Sequence, residues 1–451
     1  MPTTPPGPQW PTSVQTLAWW SRPLPFFERA RARYGKRFTI RLLDTPPMVN
    51  LSDPAEVKEV FTAAPEVLHP GEGARILEPI VGPNSVILLD EDPHLEQRRL
   101  MLPAFKGERM ERLTGLVSEV AEREIAAWPR DVPVALHRRL QALTLEIILR
   151  AVFGLDPGPR LDGLRDRLTR IIEFGATPFG LVKSVQRDLG PGSPGRRFAV
   201  LKAEIDGMLR ELVDERRASA QERDDVLAML VDARHEDGSP MSFDEIRDEL
   251  MTALVAGHET TASQLAWTLA LLVRAPGVVR ELVRELDGGD GDDYLTAVLN
   301  ESMRRRPVLP TAEPRLTKRT YATEAWTYPE GVVLAANAYL LHHDATIYPE
   351  PYAFRPERFL DEPPTTYTLI PFGGGRRRCI GASFAVLEMK VVLRVLLARD
   401  ELRPAGGGRL ELARRRSISI SPSDGARVLL RPRADAEADG ATAPAASTAS
   451  V

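Results

Sequence analysis

Residues 94–275 carry helical hydrophobic periodicity almost without interruption, and this confines the chain to a mainly helical architecture. Pro-Gly clusters at Asp156–Pro159 and Gly190–Gly195 are the breaks. Ser242-Phe243-Asp244-Glu245 is a capping box, and the helix it opens can run until Ala275-Pro276 stops it. A further helix is expected after Asp293, ending at Pro307. Asp292 and Asp293 stand at its start and Arg304, Arg305 and Arg306 at its end, as the helix dipole favours. Elsewhere the pattern changes. Phe38, Ile40 and Leu42 share one parity, Met48 to Leu51 is a second short run, and residues 313–340 alternate again. Between them Asp53-Pro54-Ala55-Glu56 reads as a helix start, with aspartate as cap and proline at the first helical position. There is no internal repeat. The expectation is a helical body with small sheets near both ends of the chain.

Composition narrows the function classes. A formal charge of -4 and a pI near 6.1 argue against a general nucleic-acid binder. The longest strongly apolar run, near Leu265 to Val273, is far below the ~20 residues of a spanning helix. No basic start followed by an apolar stretch marks a signal peptide, so a soluble, cytoplasmic protein without a membrane anchor is expected. Residues 1–11 read as a loosely ordered lead, 12–433 as one domain, and 434–451, rich in Ala, Thr, Ser, Asp and Gly, as a disordered tail.

The chain has one cysteine, Cys379, which excludes an internal disulfide and a multi-cysteine zinc site. It is inert, a nucleophile, or a ligand to a cofactor. It stands in Phe372-Gly373-Gly374-Gly375-Arg376-Arg377-Arg378-Cys379-Ile380-Gly381, just before a last long helix. Free N–H groups at a helix start favour a thiolate, and three glycines including Gly375 allow the backbone to approach something flat.

This segment resembles the haem-binding loop of the cytochrome P-450 superfamily, Phe-x-x-Gly-x-Arg-x-Cys-x-Gly, at every defined position. The resemblance implies one mainly helical, prism-shaped domain with a small β-rich lobe. It implies that Cys379 ligates the iron of haem b, a thiolate that favours O–O cleavage. Arg377 is then a propionate partner, Phe372 packs beside the thiolate, and Gly381 gives the porphyrin room. Three further segments follow the same family in the same order. His94-Leu95-Glu96-Gln97-Arg98 resembles its propionate clamp, joined by Arg315 after Glu313-Pro314. Ala256-Gly257-His258-Glu259-Thr260 resembles its oxygen-binding helix. There a local distortion opens a dioxygen site, Thr260 holds a hydrogen-bonded water or the reacting oxygen, and Glu259 relays protons; His258 takes no role. A glycine within a helix costs ~1 kcal/mol against alanine, and room for a ligand beside the backbone is a reason for Gly257. Glu301-Ser302-Met303-Arg304, with Arg358 in the later Phe354–Phe359 segment, resembles the family's structural triad.

The implied activity is insertion of one atom of O2 into a lipophilic small molecule: a fatty acid, terpenoid, steroid or macrolide. The electrons come ultimately from NAD(P)H through a ferredoxin or flavodoxin with its reductase. Arg99, Lys106, Arg109, Arg376 and Arg378 form the implied docking face for that partner, or a merely solubilising surface. Candidate substrate contacts, by position in the family pattern, are Arg75, Ile76, Leu77, Val86, Ile87, Phe179, Leu254, Val308, Leu309 and Ile418. A peroxygenase of the same fold and a haem-based gas sensor or carrier are the rival readings. The Glu259–Thr260 pair speaks against both.

Overall fold

The computed structural model describes residues 3–105, 108–175, 188–190, 192–219, 223–289, 291–406, 410–416 and 418–433. Phe179, Lys106 and the segment 434–451 lie outside them.

The helical body is organised on the helix Phe243–Leu272, which runs through the middle of the molecule and packs along the helix Leu136–Ala151. Its start is the anticipated capping box: Ser242 Oγ accepts the Glu245 N–H at 3.2 Å, and Glu245 accepts the Ser242 N–H at 2.8 Å. From Thr261 onward nearly every side chain of this helix is buried. Trp267 is fully buried, and its indole N–H donates to the Ile420 carbonyl at 3.0 Å. The helix Asp293–Arg305 forms where expected, but Asp292 does not cap it. Glu285 of the preceding helix accepts the N–H groups of Tyr294 and Leu295 at 2.6 and 2.9 Å, while Asp292 pairs with Lys390 at 2.7 Å. The helix Ala382–Arg399 follows the cysteine loop.

The sheets are not separate units at the two ends of the chain. The largest interleaves both: in order, Arg37–Ile40, Met48–Leu51, Val333–Ala336, Ala312–Thr317 and Leu68–His69. Met48–Leu51 pairs parallel with Val333–Ala336, with Val49 opposite Leu334, and the other pairings are antiparallel. A β-bulge between Ala312 and Arg315 puts Glu313 in the left-handed region at φ 43°. The three-stranded sheet likewise joins Pro133–Ala135 to the C-terminal strands Arg427–Pro432 and Asp400–Pro404. The lead is tied to the fold: the carbonyls of Pro5 and Pro6 accept from the hydroxyl and amide of Thr39. Among the described residues no single helix is long and apolar enough to cross a membrane.

Candidate active site

Cys379 is held by its backbone, whose N–H donates to the Phe372 carbonyl at 3.0 Å and closes the loop. The thiol lies deep in the molecule yet open to water-sized space, so it borders an internal void. Burial pushes the thiol up. The Gly381 N–H and the charges of Arg98 and Arg378 act the other way without reversing it. The helix start alone therefore does not make the expected thiolate; a coordinating cation would. Nothing lies within 4 Å of a Cβ built on Gly381, which leaves space there. The loop's other glycines serve protein contacts. Gly375 sits at φ 64°, and a Cβ on it would stand 2.2 Å from the Phe61 carbonyl oxygen. The flat neighbour of this turn is thus the chain at Phe61.

His94, Arg98, Arg315 and Arg377 converge, as the clamp resemblance implies. His94 is buried among the three arginines. Burial first, then the charges of Arg377, Arg98 and Arg315, push it down to about 3, so it is a neutral donor. Arg377 donates to Asp90 at 2.7 Å and to the carbonyls of Val86 at 3.1 Å and Leu89, and burial lowers it to about 10. Arg315 is buried over the Phe61 ring. It pairs with Glu313 at 2.6 Å and donates to the Val60 carbonyl at 2.8 Å, and its Nε has no partner among the described residues. The bulge at Glu313 aims this pair inward. Arg98 donates to the Arg378 carbonyl at 2.7 Å. A soft ligand beside a void, next to an arginine–histidine cluster with an unsatisfied buried donor, fits an iron porphyrin with two carboxylates.

Across the long helix, Ala256 is exposed although the residues around it are largely covered, so this helix face also borders open space. The helix runs unbroken through Ala256–Thr260, without the expected distortion: the Thr260 hydroxyl bonds back to the Ala256 carbonyl and stays within the ladder. Gly257 does not make room for a ligand. A Cβ there would meet Ile148 at 2.8 Å, so its space is taken by the packed helix Leu136–Ala151. Glu259 is pinned by Gln141 at 2.7 Å, Ser263 at 3.0 Å, Arg416 at 3.4 Å and His137 at 3.5 Å. Burial pushes it up, but the hydrogen bond and charge of His137 and the charges of Arg416 and His258 outweigh this and hold it at about 2. His258, assigned no role from sequence, is buried against the Thr144 hydroxyl at 2.9 Å.

Glu301, Arg304 and Arg358 come together. Arg304 forms a bidentate pair with Glu301 at 2.7 and 2.9 Å, and Arg358 Nε stands 3.3 Å from the same carboxylate. The substrate candidates divide. Leu254 is fully buried in the helical core, so it does not line the void. Leu77 and Ile87 pack with Val81, Leu88 and Val255 where the 75–88 segment meets the long helix. Val308 and Leu309 are partly open; Arg75, Ile76 and Ile418 are exposed, and Arg75 faces Glu78 at 3.7 Å. Of the basic face, Arg99, Arg376 and Arg378 are all exposed, and Arg99 makes a surface pair with Glu236. The sequence reading missed Asp90, Glu313, His137, Gln141 and Arg416. Only Asp90, next to a helix start, carries a local signal, and even it accepts from Gly71, Glu72 and Arg377 instead of capping.

The family model described as Cytochrome P450 matches residues 5–429. The chain belongs to the cytochrome P450 family. The protein named cytochrome P450 135B1 of Mycobacterium tuberculosis is 38% identical over 98% of this chain and 96% of its own length. Cytochrome P450 138 of the same species is 37% identical over 95% and 96%. Among solved structures, a retinoic acid-bound cyanobacterial CYP120A1 superposes with a TM-score of 0.82 at 22% identity, covering 96% of this chain and all of that one. The cytochrome P450DA haem domain gives 0.80 at 23% identity, covering 96% and 98%. As a cytochrome P450, the chain is a haem-thiolate monooxygenase. It works with haem b, dioxygen and reducing equivalents from redox partners on a small-molecule substrate.

Proposed function

We propose that this cytochrome P450 hydroxylates or epoxidises a lipophilic small molecule of the fatty acid, terpenoid, steroid or macrolide kind. The observation that carries this is the apolar segment Leu77–Leu88, packed on Val255 beside the open Ala256 face of the long helix. Cys379 holds the haem iron, and His94, Arg98, Arg315 and Arg377 receive the propionates. Once bound, the haem supplies the oxygen-activating chemistry. The chain supplies orientation, exclusion of water and proton handling. The Thr260 hydroxyl donates to the Ala256 carbonyl, which leaves its lone pairs free as acceptors. Glu259 near pKa 2 holds no proton at neutral pH. Its part in proton delivery is therefore to accept from Ser263 and Gln141 and so anchor the polar chain beside the long helix, not to act as the acid itself. The electron donor is an acidic ferredoxin or flavodoxin that meets Arg376 and Arg378, the exposed arginines nearest the cysteine.

Spectral titration of the ferric protein with a lipophilic library tests the substrate class. Apolar ligands that bind should convert the low-spin to the high-spin spectrum. A response confined to small polar compounds would overturn the lipophilic reading and leave the family assignment untouched.

A further inference from the structure

One turn of the long helix grips three successive residues of the segment that precedes the helix Glu91–Met101. The Asn84 backbone and side-chain N–H groups both donate to Asp248, each at 2.9 Å. The hydroxyls of Thr252 and Ser85 lie 2.6 Å apart. The Val86 N–H donates to Glu249 at 2.7 Å. The Val86 carbonyl in turn accepts from Arg377 of the cysteine loop at 3.1 Å. Both polar groups of one peptide residue are thus held, one by the oxygen-side helix and one by the cysteine loop. Gly82 shows how close this docking is: a Cβ on it would stand 1.9 Å from Asp248.

The two acids of this grip are not equivalent. Asp248 is charge-compensated by Arg247 at 2.6 Å. Glu249 is fully buried, has no cationic partner among the described residues, and leaves Oε2 without a hydrogen bond. From its own helix, Asp248 and Glu245 face it with like charge. The helix Glu91–Met101 offers it the uncharged Gln97, and the loop offers the Val86 amide. Burial, which Gln97 and Val86 only partly offset, pushes Glu249 up to about 8. It therefore carries a proton at neutral pH and accepts the Val86 N–H as a neutral acid.

We propose that Glu249 is a positioning residue that, through the Val86 backbone, holds Ile87 and its neighbours as a fixed wall of the substrate chamber; the wall rests on the proposed function above, in which the segment Leu77–Leu88 borders it. Substrate then enters without displacing residues 82–90, because Asp248, Glu249, Thr252 and Arg377 would all have to let go together. The size of what the chamber accepts is set by this stitched segment.

The test uses the haem-loaded protein, with Glu249→Gln and Glu249→Val. Glutamine keeps the acceptor for Val86 and has no titratable proton; valine removes the acceptor. Amide exchange over residues 84–88 should stay at the wild-type rate in Glu249→Gln and rise by about tenfold or more in Glu249→Val, as loss of one buried hydrogen bond implies. The folded pKa lies above the unfolded one, so the wild type loses stability as pH rises from the ordinary glutamate value to about 8. Its thermal midpoint should therefore fall relative to Glu249→Gln between about pH 5 and about pH 8 and level off above that. This second comparison decides the matter if Glu249→Val does not fold. Unchanged exchange in a folded Glu249→Val, or parallel pH curves for wild type and Glu249→Gln, overturns the positioning role. Titration with imidazole and 4-phenylimidazole reads the wall separately, and Glu249→Val should narrow the difference in affinity between them. An altered exchange rate with an unchanged size preference would overturn the wall and leave the lipophilic monooxygenase reading standing.

Discussion

Two buried clusters of arginine in this molecule look alike by composition and differ in how the hydrogen bonds of their central arginine close. Around Glu301 every donor of Arg304 is satisfied, while Arg358 at the edge of the cluster leaves Nε and one Nη without a hydrogen-bond partner among the described residues. The Arg304 guanidinium reaches both oxygens of Glu301 and the carbonyls of His342 at 2.6 Å, Pro351 at 2.9 Å and Ala353 at 3.1 Å. The Arg355 N–H adds a further bond to Glu301 at 2.9 Å. Around His94 the arrangement stays open. Among the described residues three arginines share two nearby acids, Asp90 and Glu313; Arg98 bonds a carbonyl there and no acid, and Arg315 Nε is unsatisfied. A closed cluster fixes backbone to backbone, here the segment 342–358 to the helix Asp293–Arg305. An open cluster has capacity left for a carboxylate that arrives with the cofactor.

The largest effect should come from breaking the closed cluster. Glu301→Ala leaves Arg304 buried without its counter-charge, at a cost of ~3–5 kcal/mol. Poor expression and low haem content are expected, and a soluble, fully haem-loaded Glu301→Ala would show that the closed pair is dispensable. Glu259 belongs to a third, mixed cluster and gives a pH signature. Its folded pKa of about 2 lies below the unfolded value, so its contribution is present above the ordinary glutamate range and lost as pH falls toward 2. Glu259→Gln should be less stable than wild type at neutral pH by at most about 3 kcal/mol, with the gap closing in acid. A gap that does not change with pH would contradict the pinned-carboxylate account. Arg98→Ala opens the open cluster further and strands no carboxylate. Haem should dissociate faster while the thermal midpoint of the apoprotein barely moves; equal losses in both would make Arg98 a structural residue like Arg304. Thr260→Ala should change stability least, since its hydroxyl only supplements a helix ladder. It should still bind substrate and consume NAD(P)H, but with less product and more hydrogen peroxide. Wild-type coupling in this variant would remove Thr260 from the oxygen chemistry.

What the sequence made legible follows the range of the interactions. The capping box at Ser242, the aspartate cap of the helix Pro54–Thr62 and the Cys379 loop are local, and each is found where the residues place it. Glu301 and Arg304 are three apart on one helix, so their pairing is also local. Apart from the undistorted turn Ala256–Thr260, the misreadings are long-range. Gly257 faces Ile148 of another helix, and Gly375 faces Phe61 across the fold, so spacing alone attributes their smallness to a ligand. The partners of Glu259 come from Gln141, His137 and Arg416, which no motif connects to it. The largest sheet joins strands from residues 37–69 with strands from 312–336, and periodicity carries no information about pairing partners.

The most direct test of the account is the spectrum of the reduced protein with carbon monoxide. Thiolate ligation by Cys379 predicts a strongly red-shifted Soret band, lost in both Cys379→Ser and Cys379→His while each variant stays folded. A red-shifted band that survives either substitution would contradict Cys379 as the axial ligand, and with it the site built around this loop.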